Sequence, residues 1–115
     1  MTTQQPTLIE QLVIDARKAQ ASINKYSQEQ VDELILAVAW EVIQPKNNQE
    51  LSEMAVEQTG LGDIEDKKRK NRRKTLGLLR DLKDVKSVGI IKDNTKNGII
   101  EIARPIGVIG AEVPS

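Results

Sequence analysis

The 115-residue chain contains no cysteine and no histidine. The first absence excludes disulfides, thiolate metal sites and a cysteine nucleophile. The second removes the usual metal ligand and the side chain that shuttles protons near neutral pH. Phenylalanine is missing too, and Tyr26 and Trp40 are the only aromatic residues, so any core rests on Leu, Ile, Val and Ala. A chain of this length buries only about two-thirds of its unfolded surface, a thin core for an independent enzyme. Excess charge of one sign is also absent: seventeen basic residues balance seventeen acidic ones, and the chain as a whole steers toward neither nucleic acid nor an anionic membrane. No apolar run reaches the roughly 20 residues that span a bilayer. The start, MTTQQPTLIEQ, has neither the basic region nor the apolar region of a secretory signal. The expectation is a soluble, cytoplasmic protein with no metal site and no membrane partner.

What is present is mostly helical punctuation. Leu8, Ile9, Leu12, Val13, Ala16, Ala19 and Ile23 follow the three-and-four spacing of an amphipathic helix, with Thr7 as its N-cap. Ser27 and Gln30 have capping-box spacing ahead of Val31, Leu34, Ile35, Val38, Ala39 and Val42, and Pro45 ends that helix. Asn48 is the expected cap of a third helix with Leu51, Met54 and Ala55 buried and Gly60 at the left-handed position past its end. Asp63 caps a fourth, Ile64 to about Leu82, acidic in its first turn and basic in its middle. Beyond Lys86 the period changes. SVGII and GIIEIA, separated by KDNTKN with Asn97-Gly98 at its end, read as a β-hairpin. Residues Ile106 to Val113 read as a third strand, apolar enough to be buried on both faces in a parallel sheet. Such a strand needs partners, because each buried orphan backbone group costs about 1–3 kcal/mol, and the sequence supplies none of its kind, so the end looks incomplete.

Three features invite chemical readings. The run Lys67, Lys68, Arg69, Lys70, Arg72, Arg73, Lys74 has the residue types that neutralise phosphates, but without interleaved aromatics for base stacking a solvated helix face or subunit contact is the plainer reading. Asp32/Glu33 and Glu65/Asp66 are adjacent carboxylates that diverge on a helix and do not share an acid–base site. Gly107 and Gly110 fit neither GxGxxG nor a P-loop; in a strand they mark close backbone approach.

Two further stretches carry a family resemblance. Glu53-Met54-Ala55-Val56-Glu57-Gln58-Thr59-Gly60-Leu61-Gly62, followed by Glu65-Asp66-Lys67 and Lys70-Asn71, and the later GIIEIARPIGVIGAEVPS, resemble in order and distance the N-terminal part of acylating, CoA-dependent aldehyde dehydrogenases of the aldehyde dehydrogenase superfamily. The resemblance covers nearly the whole chain and implies an α/β fold: N-terminal helices, a β-hairpin, and the first strand of a Rossmann-type NAD-binding domain, incomplete here. It divides one partial domain, 1–115, into a helical region (7–82), a hairpin of the oligomerisation region (87–104) and the first strand of the cofactor domain (105–115). It implies an oxidoreductase that interconverts an aldehyde and its acyl-CoA with NAD or NADP and coenzyme A through a cysteine thioester, working as a homo-oligomer without nucleic acid. No residue of this chain can be that thiol, so no catalytic residue is assigned, and the chain alone is expected to be inactive. Carried over by position, the family's contacts near the nicotinamide fall on Glu112, Val113, Pro114 and Ser115, with its oxyanion-stabilising asparagine expected just beyond. Two other readings stay open: a stand-alone interaction module or inactive remnant, and behind it a nucleic-acid-binding helix.

Overall fold

A computed structural model describes residues 7–112 as α1 (Leu8–Ile23), α2 (Gln28–Ile43), α3 (Pro45–Thr59), α4 (Ile64–Leu82), β1 (Gly89–Asn94), a 3₁₀ turn (Thr95–Asn97) and β2 (Ile99–Ala103). The result is a mixed α/β chain with a two-stranded antiparallel sheet. The described residues divide into two units, one of 7–31 with 86–112, the other of 32–85; the division falls inside α2.

In the first unit the helix starts follow local hydrogen bonding. The backbone N–H of Glu10 donates to Thr7 Oγ1 (3.3 Å), and the Thr7 N–H donates back to Glu10 Oε2 (2.7 Å). Ser27 and Gln30 repeat the arrangement at the start of α2, with distances of 2.9 and 3.3 Å. Each box satisfies two donors that a helix start leaves orphaned. The Gln28 side chain then ties the lead into the hairpin to the start of α2: its Oε1 accepts from the N–H groups of Ser87 (2.7 Å) and Val88 (3.1 Å), and its Nε2 donates to Ser87 Oγ (3.2 Å). The hairpin pairs Gly89 with Ala103 and Asn94 with Ile99, and Ile91 is the extra residue of a bulge between Ile90 and Lys92. Gly98 takes the left-handed conformation (φ 66°, ψ 23°) that closes the 3₁₀ turn, which a side chain would resist.

The third strand expected over Ile106 to Val113 is not formed: residues 104–112 have no regular structure, and Val113 lies outside the described residues. A strand is held by its ladder, and among the described residues β1 and β2 pair only with each other. Ile106 is 93% exposed. Gly107 sits at φ 115°, and the space where a Cβ would stand is open at both Gly107 and Gly110. Backbone conformation, rather than the close approach anticipated, accounts for the glycine at 107.

In the second unit Pro45 opens α3 at its first position, where a missing N–H costs nothing. The Asn47 side chain caps the preceding helix by donating to the Glu41 carbonyl (2.7 Å). Asn48 is therefore not the cap: it lies one turn inside α3, where it is buried, as is Ser52. The expected apolar face is displaced as well, since Leu51 is 43% and Met54 50% exposed and of the three only Ala55 is half-buried. At 100° per residue Asn48, Ser52 and Ala55 form one stripe and Leu51 and Met54 the next, and Asn48 and Ser52 of the first stripe meet α4. Gly60 ends α3 in the left-handed conformation (φ 65°) and Asp63 Oδ1 caps α4 by accepting from the Asp66 N–H (3.0 Å), both as expected. Among the described residues Ile43 is the one buried hydrophobic side chain.

Candidate functional site

The α3–α4 pair brings chemistry-bearing side chains together most closely. Asn48 Nδ2 donates to the Lys68 carbonyl (3.0 Å), and Asn71 Nδ2 reaches both Asn48 Oδ1 (3.0 Å) and Ser52 Oγ (3.4 Å). Ser52 Oγ lies 3.5 Å from Asn48 Oδ1 and is fully buried. Among the described residues no buried side-chain nitrogen or oxygen is left without a partner, so this knot fixes the pairing and rotation of the two helices and offers no free group for catalysis.

With the inner face of α4 so fixed, Lys67 and Lys68 are half-buried and the remaining cations of the run are exposed. Two are neutralised locally: Lys68 Nζ lies 2.8 Å from Glu65 Oε1, and Arg69 pairs with Asp66. The hydrogen bond and charge of Asp66 raise the Arg69 pKa still further. Glu65 and Asp66 thus serve as separate ion-pair partners, as their divergence on a helix anticipates. Lys70, Arg72, Arg73 and Lys74 are exposed, and none has an acidic partner among the ion pairs of the described residues. Asp66, Arg69, Lys70 and Arg73 line an open surface depression of about 450 Å³. A second depression of about 330 Å³ is lined by Glu41, Val42, Asn47, Glu50, Leu51 and Met54; it is mainly apolar and holds no constellation of nucleophile and base.

Of the residues carried over to the cofactor, Glu112 is exposed on irregular backbone, and Val113, Pro114 and Ser115 lie outside the described residues. The described residues therefore do not by themselves fit a dinucleotide. No group of His, Cys, Asp and Glu among them could hold a metal ion, and no helix among them is long and apolar enough to cross a membrane. The expectation of Asn48 as a cap conceals the knot, since an asparagine near a helix start satisfies the local rule. The knot's available signal was Asn48 and Ser52 four residues apart in line with Ala55, together with the Lys70-Asn71 pair of the resembling segment.

Comparison with known proteins returns a consistent class. No family model matches the sequence. The chain is 48% identical over 109 residues to an acylating sulfoacetaldehyde dehydrogenase of Bilophila wadsworthia, covering 95% of this chain and 23% of the relative. It is 49% identical over 104 residues to an acylating sulfoacetaldehyde dehydrogenase of Cupriavidus necator, covering 90% and 21%. An acetylating succinate-semialdehyde dehydrogenase of Clostridium kluyveri is 38% identical over 106 residues, covering 92% and 23%. The chain spans less than a quarter of the length of these curated relatives. All three relatives are named as acylating or acetylating dehydrogenases.

Proposed function

We propose, from the premise that this chain is homologous to the N-terminal part of the acylating aldehyde dehydrogenases, that it supplies the first helices and the hairpin of such an enzyme. The reaction of the whole protein is the interconversion of an aldehyde and its acyl-CoA with NAD or NADP and coenzyme A, in the cytoplasm. The observation that carries this reading is the 48% identity to an acylating dehydrogenase across 95% of the chain. The exposed apolar surface supports it. Leu8, Ile9 and Leu12 on α1 and Ile90, Ile99, Ile100 and Ile102 on the hairpin are all exposed, and apolar surface of that kind ordinarily marks an interface.

In this reading α1 packs on further parts of the same protein and the hairpin serves assembly into a homo-oligomer. Residues 105–115 enter the cofactor domain, with Glu112 to Ser115 reaching toward the nicotinamide. The nucleophilic thiol comes from outside these 115 residues, which contain no cysteine. What this chain contributes is placement: the capped starts of α1 and α2 and the Asn48–Ser52–Asn71 knot fix helices at geometries a site elsewhere can rely on.

The test is to purify the gene product that carries this chain and supply an aldehyde, NAD or NADP, and coenzyme A. Nicotinamide reduction should then require coenzyme A, with acyl-CoA identified by mass spectrometry. Release of the free acid without acyl-CoA would make the protein a hydrolytic dehydrogenase, and absence of turnover across short aldehydes would sink the oxidoreductase reading.

A further inference from the structure

We propose that Asn97, in the turn joining β1 to β2, is a site of spontaneous covalent modification: it cyclises onto the Gly98 nitrogen and reopens as isoaspartate and aspartate. The proposal stands on the turn itself and does not depend on the activity of the protein.

The step needs base and water but no enzyme and no oxidant. The backbone nitrogen of Gly98 gives up its proton to hydroxide and attacks the side-chain carbonyl carbon, Cγ, of Asn97. A carbon–nitrogen bond closes a five-membered succinimide ring, and the side-chain amide leaves as ammonia. Water then adds to one of the two ring carbonyls. Cleavage at the backbone carbonyl routes the main chain through the side chain and gives isoaspartate, while cleavage at Cγ gives aspartate. Either product puts a carboxylate where a neutral amide stood.

Six asparagines are present, and Asn97 alone is followed by glycine. No Cβ therefore shields the attacking nitrogen, and the space where one would stand is open. Four of the others are engaged through their side chains. Asn24 Oδ1 accepts from Gln20 (2.7 Å), Asn47 donates to the Glu41 carbonyl (2.7 Å), and Asn48 and Asn71 bond each other between α3 and α4 (3.0 Å). Asn94 is half-buried, and the stiff, β-branched Thr95 follows it. The Asn97 side chain is exposed and makes no hydrogen bond among the described residues.

Ring closure requires Asn97 to rotate out of the 3₁₀ conformation until the Gly98 nitrogen faces Cγ. Little opposes that rotation. The Gly98 N–H reaches the Thr95 carbonyl at 3.3 Å, longer than a normal backbone bond, in a turn type whose hydrogen bonds are poorly aligned. Gly98, at φ 66°, has no side chain to restrict its backbone. The last pair of the ladder, Asn94 with Ile99, flanks the turn. Isoaspartate adds one carbon to the main chain between those paired residues and so loosens this end of the hairpin as the protein ages.

The experiment ages the gene product carrying this chain in mildly alkaline and in mildly acidic buffer. Digestion under acidic conditions with a glutamate-specific protease yields the peptide ending at Glu101, which holds Asn71, Asn94 and Asn97 and is sequenced by mass spectrometry. The expected result is a gain of one mass unit at Asn97 that grows with hydroxide concentration. It should form at least about tenfold faster than at Asn71 or Asn94, where the attacking nitrogen is less free to reach Cγ. An isoaspartate-specific methyltransferase should label the same residue. Asn97→Gln keeps the amide but needs a six-membered ring, and should lower labelling roughly tenfold. Undiminished labelling in that variant overturns the proposal, because the isoaspartate then arises elsewhere. So does an intact Asn97 in the protein when a synthetic peptide spanning Asp93 to Ile102 converts, since the folded turn would then block ring closure. Amide exchange at Ile99 should be faster in converted than in fresh protein, and equal rates would overturn the loosening of the hairpin.

Discussion

The α3–α4 pair and the hairpin are specified in opposite ways. Between α3 and α4 the contact is polar: Asn48, Ser52 and Asn71 meet in a closed set of hydrogen bonds, while Leu51 and Met54 remain exposed. In the hairpin the backbone ladder is regular apart from one bulge, and the side chains that would make a core, Ile90, Ile99, Ile100 and Ile102, are exposed. Directional bonds select one arrangement because a shifted helix would leave buried polar atoms unmet. An apolar sheet face tolerates many partners and is finished only when one covers it. The helical pair is thus self-defining, whereas the hairpin presents its apolar side chains to whatever protein surface packs on it.

The sharpest way to break this contrast is to open the knot. Asn71→Ala removes the donor that serves Asn48 Oδ1 and Ser52 Oγ, and we expect a loss of about 1–3 kcal/mol from stranding buried polar groups. Urea unfolding followed by circular dichroism measures it. A companion variant, Asn48→Leu, Ser52→Ala and Asn71→Leu together, should recover part of the loss, because replacing all three side chains by apolar ones leaves no buried side-chain polar atom of the knot unmet. A loss below about 0.5 kcal/mol for Asn71→Ala, the range of ordinary surface substitutions, would mean that the pair is held by something other than the knot.

In the first unit the corresponding contact is a single side chain, and its effect should be smaller. Gln28→Ala frees the N–H groups of Ser87 and Val88, which water can partly serve because Ser87 is exposed. We expect about 0.5–1 kcal/mol, together with faster hydrogen exchange at Ser87 and Val88 and unchanged exchange across α3 and α4. Equal acceleration in both regions would erase the distinction between them.

The same contrast explains what the sequence disclosed. Local signals read well: the caps at Thr7, Ser27 and Asp63 and the glycine at position 60 act within a few residues, where hydrogen-bonding geometry is decided by neighbours in the chain. The hairpin was legible for a similar reason, from a change of period and Asn97-Gly98. Asn48 misled because an asparagine near a helix start is a cap by local rules, whereas here Pro45 moved the start back and a residue twenty positions away claimed the side chain. The inner face of α3 was misread because apolar periodicity was taken to mark burial, and the buried stripe is polar. Residues 106–113 were read as a strand from composition alone, and composition cannot provide the neighbour a ladder needs. The run on α4 was visible at once, but its division into paired and unpaired cations depends on which acids lie one turn away.

The smallest expected effect concerns the caps. Glu10 is held below the usual carboxylate range mainly by the hydrogen bond from the Thr7 backbone, and secondarily by the Thr7 hydroxyl. Glu29 is lowered by its own backbone N–H and by Ser27. For a carboxylate whose pKa is depressed on folding, the stabilisation is present above the unfolded value, roughly pH 4.3 for glutamate, and is lost as the pH falls through the folded value. Helicity at the starts of α1 and α2 should therefore hold down to about pH 4 and decline below it, while the α3–α4 knot, built from amides and a hydroxyl that do not titrate there, should not respond. Amide exchange measured from pH 5 to pH 3, corrected for intrinsic rates, separates the two. Glu10→Gln should flatten the acid response at the start of α1 while retaining an acceptor for the Thr7 N–H. If that response survives the substitution, the Glu10 carboxylate is not its source, and acid is acting on the first unit through other groups.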